Sequence, residues 1–390
     1  MIKRKAEVQL SKLAGQFPAI LILGPRQCGK TTLARHCVRG QYFDLEKPSD
    51  AQLFADDIEF ALRRFPGSVI IDEAQVIPAI FPALRALIDE SRHKFGRFFL
   101  LGSVSPELIK GISESLAGRV GILDLTGFLF GEVAELRNVE LVSLWLRGGF
   151  PDAFLTRDME KWHAWQENYV RTFIERDVVR HGLKISSLEM RRFMGMLAHS
   201  HGGILNASSL GRSLGASYHT VQHVLDVLEG YFLIRRLIPY HVNLGKRLVK
   251  APKFYLRDSG ILHYLLGVGN QEQLLQSPAR GNSFEGFMIE QIASLETIRH
   301  PGSRLYYFRT HAGAEIDLIV ERGGRRIGYE FKCAYSATGR DWAHLKAGLA
   351  EGVIDKGVLV YLGEKTFSVS DSISVVPAGA FLLDETESQR

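Results

Sequence analysis

No apolar run in the chain approaches the roughly 18–20 residues that a membrane-crossing helix requires, which excludes a helical membrane protein. There are only three cysteines in 390 residues, Cys28, Cys37 and Cys333, so no disulfide framework is expected and a reducing compartment is. The start of the chain, Met1-Ile2-Lys3-Arg4-Lys5, has charge but no apolar segment behind it, and so does not read as a secretory signal. The expectation is a cytoplasmic protein with no membrane partner. Internal repeats and low-complexity tracts are also missing, which excludes solenoids and compositionally biased linkers. What remains is a globular composition, 46% hydrophobic and 23% charged, with room for two or three domains.

The most informative segment is Gly24-Pro25-Arg26-Gln27-Cys28-Gly29-Lys30-Thr31-Thr32, which follows the apolar run Ala19-Ile20-Leu21-Ile22-Leu23. It fits G-x-x-x-x-G-K-[ST], a loop whose backbone N–H groups wrap phosphates and therefore must approach them without a Cβ in the way. Thr32-Leu33-Ala34-Arg35-His36 opens a helix, whose N-terminus adds partial positive charge. Lys30 is placed to reach the β- and γ-phosphates of ATP, and Thr31 to ligate Mg²⁺. A chance glycine loop is the bland alternative, and the strand before and helix after weigh against it. Ser68-Val69-Ile70-Ile71-Asp72-Glu73 is a second short apolar strand, ending in two acids. There Asp72 suits a carboxylate holding Mg²⁺, and Glu73 one that orients and deprotonates the attacking water. A third strand, Phe98-Phe99-Leu100-Leu101, ends in Gly102-Ser103, where Ser103 either senses the γ-phosphate or caps the next helix.

Along the chain the pattern divides into four regions. Residues 1–135 alternate short strands and helices, as in a parallel sheet covered by helices. Residues 136–202 read as a helical lid or linker. Residues 203–265 read as a winged helix-turn-helix: a short helix Ala207–Leu214, a turn at Gly215-Ala216, and a second helix capped by Ser217. That second helix buries Val221, Val224, Leu225 and Leu228 and turns Tyr218, His219, Gln222 and His223 outward, with His219 and Gln222 as DNA-contact candidates. His219 and His223 stand at i, i+4, but no third metal ligand accompanies them. From Arg235 to Arg257 there are seven Lys/Arg and no Asp or Glu. Lys246, Arg247 and Lys250 in this stripe are further DNA-contact candidates, against the alternatives of a solvated loop or a protein-contact module.

Residues 266–390 are again α/β. Arg322-Gly323-Gly324-Arg325 suits a tight hairpin, and a two-residue Gly-Gly loop pairs Arg322 with Arg325. Asp317 then stands opposite Glu330, with Lys332 on the same face and diagonal to it. Glu285 on the preceding helix offers another carboxylate. Two or three acids and a lysine are what Mg²⁺-dependent phosphodiester hydrolysis needs, with Glu285, Asp317 and Glu330 as metal ligands. A cross-strand salt bridge on a solvated face is the alternative.

Taken together, these residues resemble a prokaryotic family of AAA-type P-loop ATPases with a winged-helix module and a C-terminal domain similar to restriction endonucleases. The resemblance rests on Gly24–Thr32, Ile70–Gln75, Leu101-Gly102-Ser103, Ser115–Arg119, Gly148–Pro151, Tyr169–Asp177, Pro252–Gly260, Phe284-Glu285, Gly313–Asp317 and Glu330-Phe331-Lys332. It implies an ATPase core and a nuclease-like C-terminal fold with catalytic Asp317, Glu330 and Lys332. It also implies that Arg119 reaches a neighbouring subunit's γ-phosphate, hence a homo-oligomer, for which a six-membered ring is the usual form. Ile316 stands before Asp317 where the nuclease signature has proline. Two functions follow: a DNA-acting ATPase using ATP and Mg²⁺, or a nucleotide switch contacting a protein partner, its nuclease-like domain inactive.

Overall fold

Five short apolar runs build the first sheet. They are β1 (Ala19–Leu23), β2 (Gly40–Asp44), β3 (Ser68–Asp72), β4 (Phe98–Gly102) and β5 (Val120–Asp124). The computed structural model describes residues 2–102, 112, 114–136, 139–178, 185–241, 249 and 251–384. These form two compact units, residues 1–127 with 230–232, and residues 128–229 with 233–390. In the first unit the strand order is β2-β3-β4-β1-β5, all parallel. Central strands covered on both faces must be apolar throughout, and β1, β3 and β4 are buried over almost their whole length. The edges differ: β2 begins with exposed Gly40 and Gln41, and β5 leaves Ile122 55% exposed. The order puts β4 between β3 and β1, so the loops after β1 and β3 open at the same carboxyl edge, where α/β sheets bind ligands.

After a one-turn helix, Phe130–Val133, the second unit continues with helices Leu141–Arg147, Pro151–Leu155, Met159–Thr172 and Ser187–His199, in the stretch expected to be helical. Next comes a helix-turn-helix, Ala207–Leu214 and Tyr218–Gly230. Gly215 takes the left-handed conformation at the turn and the Ser217 hydroxyl accepts from the Thr220 N–H at 3.1 Å, as expected of a cap. Strands β6 (Ile234–Leu237) and β7 (Lys253–Leu256) pair antiparallel beside it. A 20-residue helix, Arg280–Arg299, leads to a six-stranded sheet. Its strands are β8 (Arg304–Arg309), β9 (Glu315–Arg322), β10 (Arg325–Lys332), β11 (Lys356–Tyr361), β12 (Phe367–Ser370) and β13 (Ile373–Pro377), in the order β12-β13-β11-β10-β9-β8. Gly323 and Gly324 both have left-handed φ, 53° and 85°, as a two-residue hairpin of matching twist needs. Arg322 faces Arg325, and the pairing continues to Leu318 and Tyr329 in the expected register.

Residues 136–202, 203–265 and 266–390 all lie within the second unit, which begins at Phe128. Buried polar contacts between distant residues explain this. The Phe128 N–H donates to the Gly149 carbonyl, and the Phe130 N–H donates to Gln291 Oε1 at 2.7 Å. The Gly149 N–H donates to Asp258 at 2.7 Å, and Asp258 also caps the helix Ser259–Leu265. The Trp145 indole donates to Ser283 Oγ at 2.9 Å, and that hydroxyl lies 2.7 Å from His263 Nε2. Burial pushes His263 down to about 4 and Asp258 up to about 6, so near neutral pH the imidazole is uncharged. Among the described residues no helix is long and apolar enough to cross a membrane.

Trp145 is fully buried and packs edge-on against Phe284 at 5.3 Å. Trp145→Ala is therefore expected to cost roughly 3–5 kcal/mol of the second unit's stability, read as a fall in its urea midpoint. A loss below about 1 kcal/mol would mean that Trp145 does not hold these segments together.

Candidate functional site

The loop after β1 is shaped by two glycines. A Cβ on Gly24 would lie 2.1 Å from the Leu125 carbonyl oxygen, and Gly29, at φ 99°, starts the helix Lys30–Cys37 from a left-handed conformation. Lys30 is buried, and its ammonium donates to the carbonyls of Gly24 (2.9 Å) and Pro25 (2.8 Å) within the same loop. Thr31 Oγ1 donates to Asp72 Oδ2 at 2.6 Å, joining the helix after β1 to the end of β3. The Asp72 carboxylate also accepts from the Tyr42 hydroxyl (2.9 Å) and the Glu73 N–H (3.1 Å). Glu73 takes a left-handed conformation, φ 51°, uncommon for a residue with a side chain and typical of functional sites. Burial raises its carboxyl above the ordinary range, opposed by Gln75, which donates to it, and by the charges of Lys30 and Arg26.

Two contributors were not legible in the sequence. Tyr42 lies on β2, whose pairing with β3 sets Asp44 beside Asp72, so the phenol two residues earlier reaches the carboxylate. Burial and the Asp72 charge raise its pKa, keeping it a hydrogen-bond donor. Arg4, read only as part of a charged start, is buried. Its guanidinium donates to the Cys28 carbonyl (3.1 Å) inside the loop and to the carbonyls of Thr126 (2.8 Å) and Gly127 (3.0 Å) beyond β5.

Ser103 lies outside the described residues. Arg119 is described, with its fork engaged by Asp89 of the same chain at 2.8 Å for each of two N–H groups. Bidentate, charge-assisted pairing satisfies the guanidinium internally.

In the second unit the expected acids do converge, around a different lysine. Lys253 on β7 is 4% exposed; its ammonium lies 2.8 Å from Glu285, closer still to Glu315, and 4.0 Å from Asp317. The Tyr255 hydroxyl donates to Glu285 at 2.5 Å, and the Phe331 N–H to Asp317 at 3.0 Å. Lys332 is not part of this cluster. It is 46% exposed and paired with Asp341 at 2.6 Å. Burial pushes Glu285 up to about 7, aided by the charge of Asp317. Burial also raises Asp317, and it raises Glu330 well above its ordinary value, with the Asp317 charge adding to it. Lys253 is raised despite burial, because Glu285, Asp317 and Glu315 surround it. Among the described residues no group of three or more His, Cys, Asp and Glu side chains is arranged to hold a metal ion.

The basic stripe is likewise mostly neutralised. Arg235 and Arg257 both pair with Glu290, Arg236 pairs with Asp226 and Glu229, and Lys253 sits in the acid cluster. Lys246, Arg247 and Lys250 lie outside the described residues. On the second helix of the helix-turn-helix, Tyr218, His219 and His223 are exposed, and Gln222 is half-buried and donates to the Tyr218 hydroxyl.

Comparison with known proteins agrees with this geometry. Residues 16–134 match the family model of a AAA domain. Residues 138–272 and 280–381 match two domains of unknown function, DUF8612 and DUF4143. The chain is thus a AAA-type P-loop protein with a C-terminal sheet domain. It belongs to the same family as the uncharacterized proteins Rv2008c of Mycobacterium tuberculosis and Mb2031c of Mycobacterium bovis. Each is 40% identical over 383 residues, covering 97% of this chain and 84% of the relative. An uncharacterized Haemophilus influenzae protein is 24% identical over 247 residues, 58% of this chain and 59% of its own length. Among solved structures, the Walker-type ATPase PABY2304 of Pyrococcus abyssi is similar at 14% identity and TM-score 0.44, over 68% of this chain and 96% of that one. AMPPCP-bound DnaA from Aquifex aeolicus is similar at 14% identity and TM-score 0.31, over 57% and 85%.

Arg4→Ala removes a charged donor from the phosphate-loop backbone and is expected to weaken binding of a fluorescent ATP analogue about tenfold, with Arg4→Lys intermediate. Unchanged affinity in both variants would show that Arg4 does not shape the loop.

Proposed function

We propose that the protein is a Mg²⁺-dependent ATP hydrolase whose turnover is coupled to DNA. The observation that carries the reading is the Thr31–Asp72 hydrogen bond beside Lys30 and Glu73, at the carboxyl edge of a parallel sheet. The donor set suits the hard cation that accompanies ATP, because a hydroxyl and a carboxylate oxygen already converge to 2.6 Å. Thr31 and Asp72 would hold Mg²⁺, which when bound neutralises charge on the β- and γ-phosphates. Backbone N–H groups of Arg26 to Thr32 wrap the phosphates, and the Lys30 ammonium exchanges the carbonyls of Gly24 and Pro25 for phosphate oxygens. Glu73 orients water and accepts its proton. A carboxyl raised by burial is the stronger base for that step.

The DNA part of the reading is supported by the exposed Tyr218, His219 and His223 on the helix Tyr218–Gly230, with Gln222 half-buried beside them, and by Lys246, Arg247 and Lys250 in the sequence. Assembly through Arg119, as a ring or otherwise, requires the arginine to exchange Asp89 for a neighbour's phosphate. Phosphodiester cleavage by Asp317, Glu330 and Lys332 would require Lys332 to leave Asp341. A second reading, a nucleotide switch contacting a protein partner, is favoured by the internal pairing of Arg235, Arg236, Lys253 and Arg257.

Steady-state ATP turnover with single-stranded, duplex and branched DNA separates the two. The DNA-coupled reading expects stimulation by at least one of these, and a shallower salt dependence of binding once Lys246 and Arg247 are reversed in charge. Turnover indifferent to every DNA at low salt supports the protein-partner switch.

A further inference from the structure

The likeness to restriction endonucleases implies a divalent metal among Glu285, Asp317 and Glu330, and the residues present do not fit one. We infer that the Lys253 ammonium is the resident cation of this carboxylate cluster, occupying the position a divalent metal would need, so that the C-terminal domain takes no catalytic metal. The inference concerns the second unit alone and stands whether or not the first hydrolyses ATP.

Three observations carry it. First, Lys253 is almost completely buried with its Nζ inside the acid group, in contact with Glu285 and Glu315 and 4.0 Å from Asp317. An ammonium has three N–H donors; Glu285 and Glu315 accept from it, and Asp317 adds charge at ion-pair distance. A Mg²⁺ ion needs six oxygen ligands at about 2.0–2.1 Å in octahedral array, one or two of them carboxylates, and the carboxylate oxygens gathered around the Lys253 ammonium cannot surround both cations. Second, protein donors take part of the acids' remaining capacity: the Tyr255 hydroxyl on Glu285 Oε1, the Phe331 N–H on Asp317 Oδ2, and the Arg309 guanidinium 3.3 Å from Glu315, while the buried Glu330 Oε1 has no hydrogen-bond donor. Third, Lys253 is fixed by backbone pairing. It faces Leu237 across β6 and β7 and forms a further bridge with Ile204, so its stem does not hang from a loop. The lysine also comes from the segment matching one domain of unknown function, and its acids from the segment matching the other. The cluster therefore ties the two segments together electrostatically.

The test is a Mn²⁺ titration of the nucleotide-free full chain, followed by the electron paramagnetic resonance signal of free Mn²⁺. The wild type is expected to show no Mn²⁺ site that Asp317→Asn removes. Lys253→Met, close in length but uncharged, vacates the cluster and is expected to gain one site at least about tenfold tighter than any in the wild type, abolished again by adding Glu285→Gln. A wild-type site lost in Asp317→Asn overturns the inference, and so does a folded Lys253→Met variant that gains no site. Should Lys253→Met fail to fold, Lys253→Arg keeps a cation in place: continued absence of a carboxylate-dependent Mn²⁺ site supports the inference, and its appearance overturns it.

Discussion

One hydrogen bond, from Thr31 Oγ1 to Asp72 Oδ2, joins the phosphate loop to the acid-ended strand β3 at the proposed nucleotide site, and the sheet order makes it possible. Thr31 opens the helix after β1, and Asp72 ends β3, with β4 between the two strands. Parallel strands in register bring both chain ends to one edge, so a threonine and an aspartate far apart in sequence meet without any specific loop contact. Lys30, Tyr42 and Glu73 are placed by the same constraint: each sits within a few residues of one of those strand ends or on the strand alongside. Arg4 adds a support from outside the sheet, holding the phosphate-loop backbone against the segment after β5.

The second unit is organised differently. Its cohesion comes from polar groups that are buried and paired: Trp145 with Ser283 and His263, Asp258 with Gly149, Glu290 between Arg235 and Arg257, Lys253 among its acids. Breaking one partner of a buried pair costs far more than the pair contributes net, because a charge is left uncompensated in a poor solvent. Such contacts act as specificity devices between segments, and they explain why three stretches that differ in pattern fold as one body.

What was legible in the sequence was local. The phosphate loop, the acid-ended strand β3 and the Gly-Gly hairpin each follow from a few consecutive residues whose backbone needs are strict. The register of β9 and β10 followed from that hairpin alone. The helix-turn-helix was readable because a cap, a left-handed glycine and a 3.6-residue apolar pattern agree. The failures were all non-local. Arg235, Arg236 and Arg257 read as an uncompensated stripe because their acids, Asp226, Glu229 and Glu290, lie on other elements. Lys332 was assigned to the acids by strand alternation, yet its long side chain turns to Asp341, while Lys253, about 80 residues earlier, takes the place. Neither the β12–β13 pair nor the role of Tyr42 had a sequence signal, since both depend on which strands become neighbours.

The central claim is that the carboxyl edge of the first sheet binds ATP through the phosphate loop and hydrolyses it through Glu73. Measuring equilibrium ATP binding and phosphate release side by side for the wild type, Lys30→Ala and Glu73→Gln tests it most directly. The account predicts that the wild type does both, that Lys30→Ala loses both, and that Glu73→Gln still binds ATP but releases phosphate slower by a factor of about 10²–10⁴, the usual contribution of a general base. Phosphate release by Glu73→Gln at the wild-type rate, or undiminished turnover in Lys30→Ala, would contradict it.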